Sequence, residues 1–217
     1  MKKIIAIVCA SFFGFSVAMA EIAVGISANF ASLDTEGSET ELTGDKERNS
    51  LSESENVVIP ELFIEGVSEG GWAVGFAFIP SRDLGSKSRT DTTPTGDDET
   101  ADAGTYTATA ELKSVVQIYT DIPIGPIYAK LGISRAQIKT SESSPNNFSY
   151  GDQDVTGYTV GLGYRGDGIP FMGTGFYKVE ATYTDFDGYS QNEAGDEHRV
   201  SADTEVQSLK ISVGTSF

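Results

Sequence analysis

Leu209-Lys210-Ile211-Ser212-Val213-Gly214-Thr215-Ser216-Phe217 alternates apolar and polar residues and stops on an aromatic. In an extended strand successive side chains point to opposite faces, so Leu209, Ile211, Val213, Thr215 and Phe217 share one face. Ser208, Lys210, Ser212, Gly214 and Ser216 share the other. One face asks for hydrocarbon and the other for polar company. A half-buried strand of a soluble sandwich would alternate in the same way, so the choice rests on the rest of the chain.

The same two-residue period recurs upstream and predicts eight strands. Ile22, Val24, Ile26, Ala28 and Phe30 oppose Ala23, Gly25, Ser27 and Asn29, and Val58, Pro60, Leu62 and Ile64 oppose Ile59, Glu61, Phe63 and Glu65. Trp72, Val74, Phe76 and Phe78 oppose Ala73, Gly75 and Ala77. In a fourth strand Ala108, Ala110, Leu112, Val116 and Ile118 oppose Thr109, Glu111, Lys113 and Gln117. Ile127, Ala129, Leu131 and Ile133 oppose Tyr128, Lys130, Gly132 and Ser134; Tyr158, Val160, Leu162 and Tyr164 oppose Gly157, Thr159, Gly161 and Gly163. Tyr177, Val179, Ala181 and Tyr183 oppose Phe176, Lys178, Glu180 and Thr182, and the C-terminal strand is the eighth.

The connections between these strands alternate in length. Residues 32–56, 80–104, 139–154 and 185–203 are long, polar and rich in Gly, Ser and Asp, whereas 66–71, 121–125 and 165–174 are short or moderate. Long loops on one side and short turns on the other are expected of an outer-membrane barrel, and a soluble sandwich has no reason to sort its loops by parity. A soluble lipocalin-like barrel would place its large apolar residues inside. Here Gly and small residues share a face with Lys and Glu, which makes that face a crowded lumen. The expected fold is therefore all-β, an eight-stranded antiparallel up-and-down transmembrane β-barrel. Hydrophobic residues are only 39% of the chain. That is thin for a globular core, but enough where only every second strand residue must meet lipid.

Residues 1–20 have the pattern of a cleaved secretory signal peptide. Met1-Lys2-Lys3 is basic, Ile4 to Val17 is apolar, and Ala18-Met19-Ala20 is an A-x-A site before Glu21. The apolar run is short for a membrane helix, which needs about 20 residues. Cys9 lies within that run and is the single cysteine, so a disulfide framework or thiol chemistry is not expected in residues 21–217. Those residues are expected to form one barrel domain.

The chain resembles the family of small outer-membrane proteins with an OmpA/OmpX-like eight-stranded barrel. The resemblance rests on Pro126-Ile127-Tyr128-Ala129-Lys130-Leu131-Gly132, on Thr156 to Tyr164 and on Lys178 to Tyr183, and covers essentially residues 21–217. It implies an integral protein of the outer membrane of a Gram-negative bacterium. It also implies that Leu209, Ile211, Val213 and the terminal Phe217 form the signal read by the barrel-assembly machinery. These motifs carry architecture and no catalytic role. No peptidoglycan-binding domain is expected after Phe217.

The inward parity gathers Glu61, Glu65, Glu111 and Glu180 with Lys113, Lys130, Lys178 and Lys210, acids and bases in equal number. The interior of an eight-stranded barrel is just wide enough for side chains to fill it. Unpaired charge there is costly. The expected reading is a structural polar plug, with Lys130 paired to Glu111 or Glu180; a gated ion path is the alternative. Glu61 and Glu65 lie about 13 Å apart at roughly 3.3 Å per residue, too far for an acid–base dyad.

The connections hold nearly all of the net charge of −17. The first has Asp34, Glu36, Glu39, Glu41, Asp45, Glu47, Glu53 and Glu55 against Lys46 and Arg48, and the second includes Asp97-Asp98-Glu99. Repulsion disfavours nucleic acid. Divalent cations are possible partners, although the ordered spacing of a dedicated calcium loop is missing. No cofactor is expected. The lone His198, with Glu197 and Ser201 nearby, resembles the residue types of lipid A deacylases without their spacing, and GxSxG, Walker A, HExxH and zinc patterns are absent. The expectation is a monomeric, non-enzymatic outer-membrane barrel in contact with lipid. A narrow small-solute channel is the alternative, and a lipid-modifying enzyme a remote one.

Overall fold

The computed structural model describes residues 21–42, 48–91, 104–143, 152–169, 173–192 and 198–217. The expected leader, 1–20, and the Asp97-Asp98-Glu99 run lie outside the described residues. The strands are β1 (Glu21–Glu41), β2 (Arg48–Val67), β3 (Ala73–Ile79), β4 (Arg82–Asp91) and β5 (Gly104–Leu112). They continue with β6 (Val115–Ile124), β7 (Ile127–Ser143), β8 (Gln153–Asp167), β9 (Gly175–Asn192) and β10 (His198–Ser216).

All pairings are antiparallel, in the order β4-β5-β7-β6-β3-β2-β1-β10-β9-β8, and the β7–β8 ladder closes the sheet. β3 and β4 are halves of one stave, as are β5 and β6. The ten segments therefore make a closed eight-stranded up-and-down barrel, as the alternating sequence predicts. The terminal strands seal it: Ile26 lies opposite Val213, and Phe217 donates its N–H to the carbonyl of Ile22 at 2.9 Å. Glycines with positive φ, Gly71, Gly125 and Gly168, sit at the three short turns of this end. In the two-residue link between Ile124 and Ile127, Gly125 (φ 64°) supplies the conformation that a primed hairpin turn needs and other residues resist.

Burial is inverted relative to a soluble domain. Ile26, Leu62, Leu162 and Leu209 are at least half exposed (57, 54, 55 and 50%), whereas Lys130, Lys178 and Glu180 are each 2% exposed. An apolar belt outside a charged interior is stable only against hydrocarbon, so the barrel is a transmembrane one. No described helix is long and apolar enough to cross a membrane.

Two expectations need correction. The described parts of the four long connections are largely strand: β1 runs to Glu41, β2 begins at Arg48, and β10 begins at His198. Ser and Thr, read as loop formers, instead face one another across the ladder, as in Thr35 with Thr204, Ser38 with Ser201 and Ser88 with Thr107. Among the described residues the long side is thus a strand overhang beyond the belt. The expected fourth strand, in turn, is broken at Lys113-Ser114, and the facing stave is broken at Pro80-Ser81 directly across from it. The break reverses parity. Leu112 and Val115 both line the lumen, which turns Glu111 to the outside in register with Lys139.

The overhang is not closed everywhere. The β2–β3 ladder ends at Leu62 opposite Phe78; beyond it β2 pairs with β1 alone and β4 with β5 alone among the described residues. Pro60 and Pro80 each lie two residues past that last pair. Proline has no N–H to give a ladder and is confined to strand edges and breaks.

Candidate functional site in the lumen

The strand register assembles the lumen charges. Asp121 is opposite Lys130, and Glu180 is opposite Lys210, so two acid–base pairs are cross-strand neighbours. Lys130 Nζ lies 2.8 Å from Asp121 Oδ1 and 3.0 Å from Glu180 Oε1. Lys178 Nζ bridges Asp121 Oδ2 at 2.6 Å and Glu65 Oε2 at 2.9 Å. Above them Lys210 donates to both oxygens of Glu61, at 2.8 and 2.9 Å. Below, Arg165 reaches Glu65 Oε1 at 3.1 Å and Glu21 at 3.3 Å, with its guanidinium 3.9 Å from the centre of the Phe176 ring.

Two tyrosines complete the network. Tyr119 donates to Glu65 at 2.7 Å and Tyr128 to Glu180 at 2.8 Å. Each ring lies across a glycine of the neighbouring strand, Gly75 and Gly163, where a Cβ would collide with it. These glycines are the space into which the rings fold. Lys130 Nζ also sits 3.4 Å from the centre of the Tyr119 ring. The inward set is Glu61, Glu65, Asp121 and Glu180 against Lys130, Lys178, Lys210 and the partly buried Arg165, equal in number and mutually paired.

Six of the residues expected in the lumen therefore converge: Glu61, Glu65, Lys130, Lys178, Glu180 and Lys210. Glu111 and Lys113 do not. They bond each other at 2.8 Å with a third or so of each side chain exposed, because the break reverses their facing. Lys130 consequently pairs with Glu180 and Asp121 and not with Glu111. Asp121 and Arg165 take the vacated roles. Both fall in stretches expected to be turns; strands β6 and β8 run on through them.

Above the Lys210–Glu61 pair the inward face turns apolar. A cavity of about 370 Å³ is lined by Leu33, Ile59, Leu112, Val115, Val155 and Phe186, with Lys210 and Glu61 at its floor. Most of its polar neighbours are spent on hydrogen bonds, and the exposed Asp187 stands at its rim. Gln117 donates to Thr159, which shares a hydrogen bond with Thr184; Thr182 is bonded to Ser208, and Asn29 to the carbonyl of Ile59. This chamber was not expected, yet the sequence carries its signal. Along β10 the apolar residues change phase, from even positions at Val200, Ala202 and Val206 to odd ones at Leu209, Ile211 and Val213.

Leu209, Ile211 and Val213 face outward in the belt, and Phe217 is 80% exposed at the turn end of the barrel. Ser201 hydrogen-bonds Ser38 in the ladder; Glu197 and the side chain of His198 lie outside the described residues. Among the described residues no group of three or more His, Cys, Asp or Glu side chains is placed to hold a metal ion.

No protein-family model matches the sequence, and no curated protein matches it. Among solved structures, the chain is similar to the attachment invasion locus protein Ail of Yersinia pestis in complex with the heparin analogue sucrose octasulfate. The two share 14% identity over 90% of this chain and 99% of that one, with a TM-score of 0.41. It is similar to the outer membrane protease OmpT of Escherichia coli, at 9% identity over 94% and 99% of the chains and a TM-score of 0.49. It is also similar to the outer membrane protein OprG of Pseudomonas aeruginosa, at 14% identity over 91% and 95% and a TM-score of 0.45. At these levels the likeness is one of general architecture, and no role passes from these proteins to this chain.

Proposed function

We propose that this chain is a monomeric, non-enzymatic integral protein of a Gram-negative outer membrane. Its lumen is sealed by the charge plug, and its role is exerted through the acidic overhang. The observation that carries the reading is the mutual pairing of every charge in the plug. An ion entering the lumen would have to displace one member of a buried pair, and leaving a buried charge without its partner costs about 3 to 5 kcal/mol. The OmpA/OmpX-like family, the outer-membrane location and the assembly-signal role of Phe217 belong to this reading. They are supported by the belt, the closed terminal seam and the short turns at one end.

The overhang supports a role at the cell surface. Asp34, Glu205 and Asp185 stand side by side across β1, β10 and β9, with Glu36 opposite Asp203 in the next outward position. Such a surface favours cationic partners, divalent cations included, and repels nucleic acid. Planar-bilayer recording of the refolded protein tests the sealed lumen. The reading predicts no steady conductance above that of the bare membrane. A steady ionic current would replace it with a narrow channel.

A further inference from the structure

We propose that the chamber above the plug binds a hydrocarbon chain, which exchanges with the outer leaflet through the wall between Pro60 and Pro80; the direction of exchange rests on the membrane orientation proposed above. The chamber volume, about 370 Å³, is more than twice that of the dry apolar cavity of roughly 150 Å³ that binds benzene. Its walls are Leu33, Ile59, Leu112, Val115, Val155 and Phe186. Along these walls water would find few free partners. The hydroxyl and amide groups around the chamber already bond one another, and a buried water needs two to four polar partners.

The route follows from the register. Axial exit towards the turn end meets Lys210 and Glu61, paired at 2.8 Å and both buried. The wall itself opens where β2 and β4 part above Leu62 and Phe78. That seam starts inside the apolar belt, since Val58, beyond Pro60, is still 58% exposed. Ile59 and Ile79 flank it on the chamber side. A second divergence, between β8 and β9, begins only past Gly157 and Phe186. It lies above Tyr183 and next to the exposed Asp185, and so faces water. Among the described residues only the proline seam joins the chamber to hydrocarbon without crossing a polar surface.

The test is methyl NMR on the protein with protonated Ile, Leu and Val methyls, otherwise deuterated, in nanodiscs of deuterated lipid to which n-octane is added. The proposal expects saturable nuclear Overhauser effects from octane to Ile59, Leu112, Val115 and Val155. It expects their loss in Ala136→Phe, which fills the chamber, while those to the belt residues Leu62 and Ile211 persist. Protonated lipid in place of octane separates the two sources of the chain. Effects from acyl protons at the same methyls identify a lipid tail as occupant, and their absence beside a positive octane result identifies a free hydrocarbon. Pro60→Thr with Pro80→Thr restores the missing donors and should slow exchange at least tenfold. Effects confined to the belt in the wild type would overturn the binding site whether or not Ala136→Phe folds. Wild-type exchange rates in the folded double variant would overturn the route.

Discussion

Lys130 shows how single residues set the interior. Its ammonium is shared by Asp121 and Glu180 at 2.8 and 3.0 Å, and the side chain is 2% exposed. Lys130→Met would leave two acids facing each other with one cation fewer, and the expected loss is about 3 to 5 kcal/mol in urea titrations of the refolded protein. Lys130→Met combined with Asp121→Leu should recover part of it, giving a coupling well above the few tenths expected of independent sites. Additive losses would mean that the pair is not an energetic unit. Six of the eight charges were legible because alternation fixes facing wherever a strand is regular. Asp121 and Arg165 were hidden because each lies where an apolar run fades near a turn, and there composition says loop while the ladder continues. Glu111 and Lys113 were misplaced by one structural event, a two-residue break that no alternation pattern announces.

At the scale of the strand, the belt and the overhang obey opposite rules on one continuous backbone. Below, the ladder presents apolar residues outward and charges inward. Above, in β10, Val200, Ala202 and Val206 point inward while Asp203 and Glu205 point out. The change of phase was present in the sequence. It was masked by the weight of Ser, Thr and acidic residues, which fit a loop as well as a strand whose outer face meets water. The outward row Asp34–Glu205–Asp185 places like charges directly across from each other, an arrangement that destabilises a sheet. Glu205→Gln should therefore raise stability by a few tenths of a kcal/mol at low ionic strength, and the gain should shrink towards zero in 1 M salt, where the Debye length is about 3 Å. Thermal melts at both ionic strengths measure it. A gain that does not depend on salt would assign it to something other than these charges.

For the whole molecule, the architecture was legible because a barrel in lipid is constrained twice. Below the Pro60–Pro80 seam closure leaves no sheet edge, and lipid forces every second residue of each stave to be apolar. Ile22 to Phe30, Tyr158 to Tyr164 and Leu209 to Phe217 each carry that signature unbroken. The proline seam was not legible, because Pro60 and Pro80 become significant only once the register places them on neighbouring staves, each two residues past the last β2–β3 pair. The central claim is that the apolar belt lies in the bilayer while the overhang stands in water. Nitroxide scanning tests it most directly, and since Cys9 is the only cysteine, single labels can be placed in residues 21–217 without removing others. Labels at Ile26, Leu62, Leu162 and Ile211 should collide with dissolved oxygen far more than with a water-soluble nickel chelate, and labels at Glu36, Asp185 and Glu205 should show the reverse. Belt positions as open to the chelate as the overhang positions would contradict the membrane-spanning barrel.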